Sequence, residues 1–295
     1  MEKKDFSKNL NSLLLKGLAC QKKGNIREAA ETYSAAVGLD PKSAKAHFLL
    51  ASVLLAEGKS GEAEASLREA VEIAPEMAAA QWLLSQILQS AKAFDAAEQH
   101  ALLALKGMPG YPPLLQQLGH LAAALGDAER SMEYYRAAVL AEPRDPDSWL
   151  SLGLMQFALG HSKEAIESHN RAVSLAPRSP EPSFRLGWLL YSVDKLEEAS
   201  VCFREALIRD PRHVPALMGL GIISGRKQDF RGANACFEKI LEFQPENADA
   251  AFWLGVGLTN QDRLKEAERV FSLLARKHPE QEIFRASLNA VERGA

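Results

Sequence analysis

The chain of 295 residues is 47% hydrophobic and 25% charged, with a formal net charge of -3. This composition folds, and 35 Lys and Arg against 38 Asp and Glu leave no basic surplus for general binding to nucleic-acid phosphates. Three cysteines do not make a disulfide framework and point to a reducing, cytoplasmic setting. No stretch approaches the roughly 18 consecutive apolar residues of a membrane span.

At the N-terminus, Lys3 and Lys4 precede Leu13, Leu14, Leu15, Leu18 and Cys20, a loose likeness to a lipoprotein signal. Lys8, Asn9, Asn11 and Lys16 interrupt the apolar run, and Gly17 stands where an aliphatic residue is needed. Residues 1–9 read as a lead-in segment, with Phe6 or a partner covering the apolar helix that follows.

The prolines set the organisation beyond it. Pro41, Pro75, Pro109, Pro143, Pro177, Pro211, Pro245 and Pro279 are each 34 residues apart. With each proline at position 32, eight units of 34 residues follow: 10–43, 44–77, 78–111, 112–145, 146–179, 180–213, 214–247 and 248–281. Position 8 is small in all of them, for example Gly17, Ala51, Ser85 and Gly153. Position 20 is alanine except for Ser131, and position 24 is mostly large, as in Tyr33, Tyr135, Phe203, Phe237 and Phe271. Small residues let two helices cross closely and large ones fill the gaps.

Pro112, Pro113, Pro146, Pro180, Pro182 and Pro215 all fall at positions 1 to 3. A first helical turn tolerates proline because its N–H groups have no intrahelical partner. Gly24, Gly58, Gly126 and Gly160 share position 15, where a left-handed residue would end a first helix of about 14 residues. Each unit therefore reads as helix, tight turn, helix. After Pro279, residues 282–295 carry Ile283, Phe284, Leu288 and Val291 at helical spacing and read as a C-terminal capping helix.

Trp149, Leu152, Gly153, Ala165, Ala172 and Pro177 in the fifth unit, and Leu186, Gly187, Ala199, Phe203, Ala206 and Pro211 in the sixth, carry a known pattern. By these residues the chain resembles the tetratricopeptide repeat family over nearly its whole length. The resemblance implies an all-α fold, a right-handed superhelical solenoid whose first helices line a concave groove with positions 2, 5, 9 and 12. Read on that frame, the groove carries Leu14, Phe48, Trp82, Leu150, Phe184, Met218 and Phe252 at position 5, with Phe157, Tyr191 and Trp188 beside them. Arg185 and Arg226 supply nearby charge. An aromatic at position 5 also serves packing between first helices, but Phe184, Trp188, Tyr191 and Arg185 together exceed what stacking requires.

Other signals carry no chemistry. Gly219, Gly221 and Gly225 follow no strand, so they do not form a phosphate loop. Cys202 and Cys236 sit at equivalent places in neighbouring second helices, beyond disulfide reach. The seven histidines show no metal-ligand spacing, and no nucleophile has a placed base. The family's carboxylate clamp would put Lys, Asn, Asn, Lys and Arg where this chain has Gln116, His120, Ser151, Glu181 and Arg185, so only the last fits. Its asparagine ladder at position 6 is missing as well.

The sequence thus predicts a cytoplasmic, non-catalytic scaffold with no cofactor or metal, binding a peptide segment or helix of another protein in an apolar and aromatic groove. The alternatives are a substrate-recruiting array for a separately encoded modifying enzyme, such as a glycosyltransferase or sulfotransferase, and a self-assembling scaffold joined through its N-terminal end.

Overall fold

A computed structural model describes residues 2–294, with residues 2–8 described by backbone alone. It contains seventeen α-helices and no strand among the described residues, an all-α helical-repeat solenoid. The chain divides into two compact units, Met1–Pro143 and Arg144–Ala295. The first holds α1 (Glu2–Lys22), α2 (Ile26–Leu39), α3 (Ala44–Ala56), α4 (Ser60–Ile73), α5 (Ala78–Ser90), α6 (Phe94–Gly107), α7 (Pro112–Ala124) and α8 (Ala128–Ala141). The second holds α9 (Pro146–Ala158), α10 (Ser162–Leu175), α11 (Pro180–Ser192), α12 (Leu196–Arg209), α13 (Val214–Arg226), α14 (Phe230–Phe243), α15 (Ala248–Asn260), α16 (Leu264–Lys277) and α17 (Glu282–Gly294).

From α3 to α16 the first helix of each pair spans positions 1–13 of the 34-residue frame and the second spans 17–30. Helix starts follow from local chemistry. Ser43, Asp127, Asp145, Ser179, Asp229 and Asn247 each accept a backbone N–H two or three residues ahead, which satisfies a donor the helix cannot. Proline occupies the first turn of α7, α9, α11 and α13. Residues 2–9 do not precede the first helix; they are its opening turns, since α1 runs unbroken from Glu2. The side chain of Phe6, expected to fold over this helix, lies outside the described residues.

All eight position-15 residues adopt the left-handed conformation. Gly24, Gly58, Gly126 and Gly160 have φ between 77° and 83°, and Lys92, Asp194, Gln228 and Asp262 have φ between 59° and 61°. The tight turn is therefore set by hairpin geometry, and four side chains bear the steric cost that glycine avoids.

Inside the hairpins, the small residue at position 8 meets the large one at position 24. Gly119 lies beneath the Tyr135 ring, Gly187 beneath Phe203 and Gly255 beneath Phe271, so that an added Cβ would come within 2.8, 2.7 and 2.6 Å of ring carbons respectively. Tyr33, Phe203, Phe237 and Phe271 are fully buried as a result, and so is every position-20 residue. Neighbouring hairpins are tied by polar contacts at nearly one repeat's separation. In the first unit Arg130 Nη2 lies 2.7 Å from Glu98 Oε1, and Gln117 donates to Ser85 Oγ at 2.7 Å. In the second, Arg209 donates to Pro177 O at 2.6 Å and Lys277 pairs with Glu246 at 2.7 Å. The C-terminal α17 lays Phe284 and Val291 against α16 and the core beneath it.

Two substitutions separate these roles. Gly187→Ala should cost about 1–3 kcal/mol, because the Phe203 ring must shift. Gln228→Gly should gain about 1 kcal/mol by relieving a left-handed side chain. Urea unfolding of both variants beside the parent chain checks the opposite signs.

Candidate partner-binding face

Phe48, Trp82, Phe157, Phe184, Trp188, Tyr191, Met218 and Phe252 are half-buried, and Arg185 and Arg226 are exposed. Two of the expected groove residues are corrected by the structure: Leu14 is 5% exposed and Leu150 6%, so both belong to the core. In these two units the position-5 side chain is taken up wholly by packing. In the first compact unit, Phe48 and Trp82 pack on the core of α3 to α7. The Trp82 ring meets Tyr111 edge-on at 5.0 Å, and its buried Nε1 finds no hydrogen-bond partner among the described residues. Phe252 stands among Trp253, Phe271 and Phe284 at 5.6–6.0 Å, an aromatic cluster that seats α17.

The second unit gathers the rest. There α11 lies against both α9 and α13, so these three first helices are neighbours on one side of the unit. Phe157 from α9 and Phe184, Arg185 and Trp188 from α11 line a cavity of about 360 Å³, together with Leu154, His169, Leu189 and Ser192. Trp188 is oriented by edge contacts to Tyr191 at 5.4 Å and to the buried Phe203 at 5.5 Å. Phe184 rests on Phe203 and on His213, 6.3 and 4.9 Å away. These rings are half-buried and packed against the core. The Arg185 guanidinium lies over the surface, its Nε donating to Glu181 Oε1 at 2.6 Å.

Tyr191 and Arg226 belong to a second cavity, of about 300 Å³, between α13, α14 and α15. Arg226 stacks over the Tyr191 ring at 5.3 Å and bonds Asp194 at 2.9 Å. Leu154 and Ile222 share position 9 with Trp188, so reading that position along every unit would have found them. Gly225, at position 12, could be recognised only as a missing side chain where Phe157 and Tyr191 stand in the two preceding units.

Burial favours the neutral forms of His169, His120 and Cys202. His169, on the cavity wall, donates from Nδ1 to Ala165 O at 2.8 Å. Burial holds its imidazole below the ordinary 6.5, an effect the Ala165 carbonyl opposes and Arg185 reinforces. Burial also depresses His120, whose Nδ1 lies 2.7 Å from Tyr135 Oη. The Cys202 thiol is pushed up to about 11 by burial, with Glu205 and Glu198 adding, so it stays protonated at neutral pH. The three cysteines are unpaired. Among the described residues no group of three or more His, Cys, Asp or Glu could hold a metal ion, and no helix is long and apolar enough to cross a membrane.

The sequence profile of the family described as "Tetratricopeptide repeat" matches residues 14–78, 54–112, 117–180 and 225–282, well over half of the chain. The chain belongs to the tetratricopeptide repeat family. Solved structures similar to this family member include the C-terminal part of a repeat-containing protein from Cytophaga hutchinsonii, 15% identical, covering 82% of this chain and 99% of the other with a TM-score of 0.68. A tetratricopeptide repeat protein from Parabacteroides merdae is 17% identical over 85% of this chain and 99% of its own, with a TM-score of 0.63. YrrB, described as a TPR protein with an unusual peptide-binding site, is 19% identical over 64% of this chain and 97% of its own, with a TM-score of 0.58. No curated protein matches the sequence closely enough to count as a relative.

The depressed His169 predicts acid sensitivity of the fold. The unfolded chain takes up a proton on this histidine near pH 6.5, while the folded chain resists it until lower pH. The stabilisation is therefore complete above that value and is lost as pH falls from about 6.5 toward the folded value. His169→Phe, which installs the ring found at the same position in Phe203, should flatten the decline of the urea midpoint between about pH 7 and 5.

Proposed function

We propose that this tetratricopeptide repeat chain is a non-catalytic, cytoplasmic scaffold that binds a peptide segment or helix of a partner protein across the first helices of its second unit. Protein interaction as such is the coarser statement that family and fold support. The observation carrying the finer reading is the cavity of about 360 Å³ at Phe157, Phe184 and Trp188, with Arg185 beside it. Rigid rings fixed from behind by Phe203 lose little freedom on binding, and aromatic and Arg anchors dominate interface energies. YrrB is described as having a peptide-binding site, and we carry that class of occupant over as part of the proposal. Met218 and Phe252 then serve as flanking apolar surface.

The test is affinity capture from the native host with the parent chain and with Trp188→Ala and Arg185→Ala variants, followed by titration of the captured protein. Trp188→Ala should weaken binding by about 2 kcal/mol or more, with circular dichroism showing an intact fold. Equal and small losses across Phe157, Phe184 and Trp188 variants would reject the site.

A second reading, self-association through the N-terminal end, is favoured by Leu15, an aliphatic side chain 67% exposed on α1. Because Leu14 is core, the informative substitution is Leu15→Glu. If the reading holds, sedimentation of the parent chain should show a mass that rises with concentration, and Leu15→Glu should abolish the rise.

A further inference from the structure

The cavity between α13, α14 and α15 is lined by a glycine where the two preceding first helices carry rings. Position 12 of the two preceding first helices carries Phe157 and Tyr191, and in α13 it carries Gly225. The neighbouring glycines are fixed by packing: a Cβ on Gly221 would run into the Phe237 ring, and one on Gly257 into Asn234. Gly225 differs from both. A Cβ there would meet nothing within 4 Å, and its φ is not in the left-handed region. A glycine inside a helix is less stable than alanine, so neither turn geometry nor close contact accounts for this one.

What it leaves is an opening of about 300 Å³ walled by Ile222, Phe230, Phe237, Trp253 and Val256. Trp253 is 39% exposed, so the wall reaches the surface. The volume stands at the bottom of the range of about 300–1,000 Å³ for small-molecule sites, which suits a side chain better than a cofactor. At the edge, Arg226 sits over Tyr191 and is held by Asp194, a carboxylate 75% exposed. An exposed pair of this kind is weakly held, and the guanidinium fork can donate equally well to an incoming carboxylate.

We propose that this opening is a socket for one large apolar side chain, Phe, Leu or Met, of a partner peptide whose adjacent residue is acidic and takes Arg226 from Asp194. The proposal rests on the reading of the second unit as a peptide-binding face and adds to it the residue pattern that the face selects.

The probe is a library of short random peptides displayed on phage, selected on the full chain. Selected sequences should pair a large apolar residue with Asp or Glu within two positions. Gly225→Leu, which places a side chain in the socket, should weaken these peptides by about tenfold or more while leaving the melting midpoint unchanged or raised. Should the Leu variant melt lower, Gly225→Met takes its place, since methionine adapts to irregular space. Arg226→Gln should remove the acidic preference and keep the apolar one. Peptides that bind Gly225→Leu as well as the parent but are lost on Trp188→Ala overturn the socket and leave the peptide-binding face standing. A library that yields no binder overturns both. A parent chain that dimerises, with Gly225→Leu dissociating the dimer, assigns the socket to a second copy and likewise overturns the peptide proposal.

Discussion

An aromatic ring lying on a glycine is the contact on which this molecule depends. In the hairpins closed by Gly17 and Tyr33, Gly119 and Tyr135, Gly153 and His169, Gly187 and Phe203, Gly221 and Phe237, and Gly255 and Phe271, the second helix presses a ring onto bare backbone of the first. The ring gains burial and dispersion contact, and a side chain added to the glycine beneath it would collide with it. The same rings give the second unit its surface, because Phe203 supports Phe184 and Trp188 from below. Core and candidate binding face are thus two sides of one aromatic layer.

The two hairpins without this pairing make up the difference by other means. Ala51 faces Leu67, and Ser85 faces Ala101, a small-on-small crossing. There the Gln117 amide reaches across from α7 to Ser85 Oγ, a buried hydrogen bond in place of ring contact. The structure tolerates such exchanges because each hairpin has to satisfy only itself and its neighbours.

Much of this was legible in the sequence, since the 34-residue spacing of prolines fixes phase and phase fixes helix limits. First-turn prolines, the glycine turns and the amphipathic α17 all follow from rules that act within a few residues. What was not legible depends on three dimensions. Lys92, Asp194, Gln228 and Asp262 adopt a backbone that their own side chains disfavour, because the helices on either side dictate it. Leu14 and Leu150 share a frame position with half-exposed Phe184, yet are buried, since local neighbours decide how much of a position-5 side chain is covered. The socket at Gly225 is invisible to any search for functional side chains, because its defining feature is one that is absent.

The left-handed turn at Asp194 has a mechanical consequence. The residue that closes the α11–α12 hairpin is also the one holding Arg226 of the next hairpin on the Tyr191 ring. A carboxylate in a strained backbone is an unusual tether, since releasing the guanidinium frees the side chain without relaxing the turn. Breaking the Arg226–Asp194 contact therefore calls for side-chain rotation alone, with no change in the turn that Asp194 closes.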